Sequence, residues 1–211
     1  MLVEVLKFRP SDRVLDLGCG WGRHLAELQR RGHTELVGVD VQGGFLEPLE
    51  GVELLERDAA ELGFATDFDA VYCAFNALFS DADTAPQVLR AVSEALKPEG
   101  RFLLDTTNRE RLARADSPAR SWRGGGELPW LLEEARFDLL TGAQSIFQRR
   151  IFGDGHSEER TLTRYHYTLP ELIRLFNAAG LTVTEVFGDW QLGSYTAVSP
   201  RTMLITRKEA L

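Results

Sequence analysis

The sequence predicts an α/β fold: a parallel sheet covered by helices on both faces and interrupted by a stretch of antiparallel β structure. Three observations carry this reading. Through residues 11–106, apolar strand-like runs alternate in strict order with helical runs. Beyond Thr107 the helical spacing gives way to strand-like runs separated by turn residues. From Leu169 a helix and two further strands restore the first pattern.

Taken in order, Arg13 to Leu17 reads as a strand ending at Gly18. Gly22 to Arg31 reads as a helix, with Leu25 and Leu28 at helical spacing and Gly32 as its stop. Glu35 to Val39 is a second strand, ending at Asp40. A short helix is expected over Phe45 to Leu49. Val52 to Leu55 and Asp69 to Ala74 are the third and fourth strands. Thr84 to Leu96 is an amphipathic helix closed by Lys97-Pro98-Glu99-Gly100, and Arg101 to Asp105 is the fifth strand. Arg109 to Arg123 is charged and reads as helical, with Gly124-Gly125-Gly126 as a flexible break. Leu131 to Phe137, Ala143 to Phe152 and Glu159 to Tyr167 read as strands. Thr141-Gly142 and Asp154-Gly155 turn the chain between them. Leu169 to Ala179, with Pro170 in its first turn, is the last helix; Leu181 to Phe187 and Thr202 to Thr206 are the last strands.

At 211 residues the chain suits one domain with an insertion. The formal charge of −8 argues against general attraction to nucleic acid or anionic membrane. No apolar run is long enough to span a bilayer, and Met1 to Pro10 lacks a signal-peptide core. Cys19 and Cys73 have no metal-binding or disulfide spacing and read as reduced, buried thiols of a cytoplasmic protein.

The chemistry concentrates at Val14-Leu15-Asp16-Leu17-Gly18-Cys19-Gly20-Trp21-Gly22, where a strand runs through a glycine-rich turn into a helix. Glycines let the backbone approach a ligand closely, and the helix N-terminus offers N–H groups to an anion. Asp40 follows Gly18 by 22 positions, at the end of the second strand. An acid there can accept hydrogen bonds from both hydroxyls of a ribose.

These features resemble those of class I S-adenosylmethionine-dependent methyltransferases. Asp16 to Gly20 has the D-x-G-x-G form of that family's first motif, and Val37-Gly38-Val39-Asp40 resembles its second. Asp58-Ala59 is similar to its adenine contact. Phe68-Asp69-Ala70-Val71-Tyr72 with Ala74-Phe75-Asn76 resembles its fourth motif, and Leu96 to Arg101 its turn into strand five. The likeness covers residues 11–106 and resumes at 168–208. It implies a three-layer, Rossmann-like, seven-stranded mixed sheet with the last strand antiparallel. It implies a single domain over 1–211, in which 107–167 form an antiparallel β lid over the substrate. S-adenosyl-L-methionine is the implied cofactor. Asp16, Gly18, Cys19, Gly20, Asp40, Val41, Asp58, Ala59 and Phe75 are its implied binding residues. Within that set Asp16 favours the ammonium end, Asp40 the ribose, and Phe75 covers the adenosyl group. His24 is a candidate for the cofactor carboxylate. Cys19 is read as a small residue and not as a nucleophile.

The expected reaction is methyl transfer to a nitrogen or oxygen of a small-molecule acceptor, with no metal. Asn76-Ala77-Leu78-Phe79 lacks the two prolines of the motif found in amino-methylating nucleic-acid enzymes. His166, His156 and Glu134 are candidates for taking a proton from the acceptor. Trp122, Trp130 and Trp190 are candidates for walling the site, and Tyr195, Ser199 and Arg201 for contacting the acceptor. Strand alternation puts Arg164 and His166 on one face. A nicotinamide-type oxidoreductase shares the glycine turn and the strand-end acid, but its third glycine would fall at Arg23. A non-catalytic protein that holds the same cofactor is the other alternative.

Overall fold

The computed structural model describes all residues except 1, 46–48, 76–78, 80–81, 115–118, 127 and 211. Strands β1 (Val14–Leu17), β2 (Leu36–Asp40), β3 (Val52–Glu56), β4 (Phe68–Cys73), β5 (Leu96–Thr107), β10 (Leu181–Phe187) and β11 (Arg201–Lys208) form one sheet, in the order β10-β11-β5-β4-β1-β2-β3. The five amino-terminal strands pair in parallel, and β11 runs antiparallel to both β5 and β10. The central strands are buried on both faces, which is why β1 reads as an unbroken apolar run apart from Asp16. Helices α1 (Leu2–Leu6) and α2 (Arg23–Arg30) pack with Val14, Ala70, Tyr72 and Leu103 on one face. Helices α3 (Thr84–Ala95) and α5 (Leu169–Ala178) pack with Leu15, Val71, Phe102 and Leu204 on the other. This is the expected three-layer arrangement. Among the described residues no helix is long and apolar enough to cross a membrane.

Strands β6 (Ala119–Gly125), β7 (Leu128–Phe137), β8 (Ala143–Ile151) and β9 (Ser157–Tyr165) form a second, four-stranded antiparallel sheet, in the order β6-β7-β8-β9. Three of these strands are those expected. The fourth, β6, takes the carboxyl end of the helix expected over Arg109 to Arg123; among the described residues of that stretch α4 (Arg109–Leu112) alone is helical, and 115–118 lie outside them. Its strand conformation is fixed by pairing with β7, where Arg120 and Arg123 meet Glu134 and Glu133. Gly124 and Gly125 of the expected flexible break belong to this strand, and Gly126 follows it in a turn. A Cβ on Gly124 would lie 2.3 Å from the Pro129 carbonyl oxygen. Strand β5 also starts earlier than expected. Lys97 to Gly100 belong to it, with Glu99 in the left-handed region at φ 68. Of the helix expected over Phe45 to Leu49, a 3-10 turn at Gly43–Phe45 is present and 46–48 lie outside the described residues.

The second sheet is tied to the first at several points. The Tyr165 N–H donates to the Phe79 carbonyl at 3.0 Å, and the Tyr167 hydroxyl to that of Ala82 at 2.8 Å. A capping box formed by Thr168 and Glu171 starts α5, and the same Glu171 pairs with Arg109 at 3.1 Å.

Candidate functional site

Two cavities adjoin at the carboxyl ends of the parallel strands, where open α/β sheets bind ligands. The larger, about 480 Å³, is lined by Gly18, Asp40, Val41, Asp58 and Ala59 from the sheet side, and by Arg160, Leu162 and Arg164 of β9. The smaller, about 240 Å³, is lined by Asp16, Gly18, Cys19, Gly20, His24, Phe75 and again Arg164. Gly18 and Arg164 belong to both. All nine implied cofactor residues therefore line one cavity or the other.

The turn between β1 and α2 needs its glycines. Gly18, Gly20 and Gly22 have φ of 77°, 52° and 67°, a region other residues enter only with strain. Asp40 fastens this turn. Its Oδ2 accepts the Gly20 N–H at 2.8 Å and its Oδ1 the Gln42 N–H at 2.9 Å. A carboxylate has about four acceptor positions, so each oxygen retains one for a ligand hydroxyl. Asp58 Oδ1 accepts the Ala60 N–H at 2.8 Å, capping the 3-10 turn Ala59–Glu61. Ala59 opens that turn, so its N–H has no partner within it.

Asp16 is strongly perturbed. It is 1% exposed, and its Oδ2 has no hydrogen-bond partner. Burial raises its pKa to about 7; the Tyr72 hydroxyl nearby opposes the rise without reaching hydrogen-bond geometry, and the Asp40 charge adds to it. His24 Nδ1 is 3.8 Å from the same oxygen, but burial and the Arg23 charge lower the His24 pKa, so the ring is neutral at pH 7. An orphaned, buried carboxylate beside a cavity fits a cationic ligand group, as the ammonium of S-adenosylmethionine would be. The Cys19 thiol is pushed up to about 12 by burial and by Asp16 and Asp40. It stays protonated and is no nucleophile.

Phe75 is held by a network that the sequence did not disclose. Its backbone is left-handed at φ 65, and its N–H donates to Asp105 Oδ2 at 2.9 Å. Asp105 is fully buried and takes both prongs of Arg201, at 2.6 and 2.8 Å. The Arg201 guanidinium also lies 5.8 Å from the Phe75 ring centre. His24 stacks on Phe75 at 6.0 Å, and Trp190 lies tilted at 6.1 Å with its buried Nε1 unpartnered. Phe75 is thus a fixed, exposed ring at the mouth of the smaller cavity. Asn76, the next residue of the motif, lies outside the described residues.

The proton-acceptor candidates do not gather here. His156 is 63% exposed on the turn side of β9, near Glu158, and Glu134 is tied to Arg120 and Arg136. His166 is buried against Gln144, and burial with the Arg164, Arg109 and Arg201 charges lowers its pKa to about 4. Trp122 and Trp130 are exposed on the lid and wall neither cavity. Tyr195 donates to Asn108 and Glu110, and Ser199 holds the Thr196 N–H. Of that loop group only Arg201 reaches the site, through Asp105 and Phe75. Among the described residues no group of three or more His, Cys, Asp or Glu is placed to hold a metal ion.

Residues 14–100 match the family model of the methyltransferase domain. The chain superimposes on the CcbJ methyltransferase from Streptomyces caelestis with a TM-score of 0.81 at 23% identity, covering 95% of this chain and 84% of that one. A S-adenosylmethionine-dependent methyltransferase from Clostridium acetobutylicum gives 0.80 at 18% identity, covering 94% and 85%. CalS10, an amino pentose methyltransferase from Micromonospora echinaspora with S-adenosylmethionine bound, gives 0.72 at 22% identity, covering 97% and 87%. No curated protein matches the sequence significantly.

Proposed function

We propose that the chain is a class I, Rossmann-like S-adenosylmethionine-dependent methyltransferase, as the match of residues 14–100 to the methyltransferase-domain model supports, and that it methylates a nitrogen or oxygen of a small molecule under the lid. The observation that carries the proposal is the pair of cavities meeting at Gly18 beneath β9. The floor is made by strand ends and the roof by the second sheet. Such a roofed site favours an acceptor of metabolite size over a polymer. The amino sugar acceptor in the name of CalS10 supports the same class.

In this reading Asp40, with Val41 beside it, takes the ribose on its two remaining acceptor positions. Asp58 Oδ2 and the Ala59 N–H take the adenine edge. Gly18, Cys19 and Gly20 let the amino acid end lie against the backbone, and Asp16 matches its ammonium. The cofactor, when bound, supplies a methyl group on an electrophilic sulfonium. Displacement of that methyl needs alignment above all, and alignment is what the chain provides. Phe75 is locked by Asp105 and Arg201, so its ring limits how an acceptor approaches.

Incubation with S-adenosylmethionine and a panel of amino sugars, small amines and phenols tests the proposal, with S-adenosylhomocysteine release as the readout. Turnover on at least one of them is expected. Activity confined to protein or nucleic acid would refute the small-molecule reading. Calorimetric binding of NAD in place of S-adenosylmethionine would refute the cofactor.

A further inference from the structure

Four arginines of the lid are matched by acids: Arg120 and Arg136 by Glu134, Arg123 by Glu133, Arg149 by Glu159. Arg164 is not. Among the described residues it makes neither a hydrogen bond nor an ion pair. It lies near the end of β9 and lines both cavities where they join. Burial disfavours its charged form; the Glu133 charge opposes this, and the like charges of Arg201 and Arg160 add to it. A desolvated, unmatched guanidinium calls for an anion. The smaller cavity also presents Asp16, a buried and unmatched carboxylate. One small space therefore offers an unmatched charge of each sign, which is the complement of an α-amino acid zwitterion. Arg23 lines the same cavity but is exposed to water, and His24 is neutral. Arg164 is the desolvated cation of the three.

We propose that Arg164 holds the carboxylate of the amino acid end of S-adenosylmethionine while Asp16 faces its ammonium, so that the cofactor latches the lid to the sheet. The inference rests on the cofactor reading above. The planar fork of a guanidinium fits a carboxylate with two parallel hydrogen bonds. A carboxylate on the acceptor offers the same chemistry, and the test separates the two.

Calorimetry compares S-adenosylmethionine with its decarboxylated analogue, which keeps the sulfonium and the ammonium. The wild-type protein should bind the full cofactor at least tenfold more tightly than the analogue. Arg164→Gln should bring that ratio close to one by weakening the full cofactor alone, and Arg164→Lys should fall between. Without ligand, Arg164→Gln should melt no lower than wild type, because an unmatched, half-buried charge has been removed. A wild-type ratio near one, or a ratio that survives Arg164→Gln, overturns the inference and leaves an acceptor carboxylate as the partner of Arg164. A clear loss of melting temperature in Arg164→Gln also overturns it, by making the residue structural. Failure of the wild-type protein to bind S-adenosylmethionine at all would sink the cofactor reading itself.

Discussion

Asp16→Asn isolates what it costs this fold to hold an unmatched acid in its sheet. The carboxyl pKa rises from 3.8 to about 7, chiefly through burial. In the unfolded chain the group ionises near its ordinary value, so between these two values the unfolded state binds fewer protons than the folded one. Stability must therefore fall as the pH rises through this window and level off above about 7. A tenfold change in an acid's ionisation constant is worth about 1.4 kcal/mol, so the full penalty of ionising the buried carboxyl is about 4 kcal/mol. An asparagine carries no such titration. Its buried amide costs about 1–3 kcal/mol on its own account, but that cost does not vary with pH. The stability difference between variant and wild type should thus move in the variant's favour by about 2–3 kcal/mol from pH 5 to pH 8. Urea denaturation of both proteins without cofactor, over a closely spaced series of pH values, measures it. A difference flat in pH, or moving toward the wild type, would refute the assignment of Asp16 as a buried, unmatched acid.

Three further outcomes follow from the same geometry. S-adenosylmethionine affinity should climb about tenfold per pH unit below 7 and level above it, because the ammonium needs Asp16 ionised; titration calorimetry of wild type and Asp16→Asn would show the slope in the first only. Asp40→Ala should weaken cofactor binding at least tenfold, about 1.4 kcal/mol. It should also loosen the glycine turn, seen as faster amide exchange at Gly20 and Gln42, whose N–H groups the carboxylate holds. Gly38→Ala should destabilise the fold by about 1–3 kcal/mol in urea, since its Cβ would meet Leu25, Leu54 and Cys19 side chains at 2.6–2.9 Å.

The core was legible because its period is enforced locally. Strands buried on both faces must be apolar throughout, and helices against them must carry a stripe, so β1, β2, α3 and α5 fall within a residue or two of where the pattern puts them. The failures have a common origin in long-range pairing. Arg120 and Arg123 look like helix-surface residues until Glu134 and Glu133 are found across from them on β7. Lys97 to Gly100 look like a turn because Pro98 and Gly100 sit there, yet the backbone is already strand. The glycine motif and the strand-end acids announced the two cavities because a ligand-bearing turn needs those residue types in that order. Asp105 and Arg201, 96 positions apart, carry no such local signature, so the lock on Phe75 could only be seen in three dimensions. The alternation of β9 put Arg164 on a face with His166, but nothing in the spacing separates the one that meets the cavities from the one that is buried against Gln144.

The reversal of β11 has a consequence for how such a chain can diversify. Because it runs against β5, its first residue, Arg201, arrives at the rim where the parallel strands end, and its last, Lys208, at the far rim. The segment between Phe187 and Arg201 is thus delivered to the reactive rim from the carboxyl side of the sequence, just as the segment after Thr107 is delivered from the amino side. Lengthening or rewriting either one leaves every strand register intact. Two stretches remote from each other in sequence can in this way change separately around one rim.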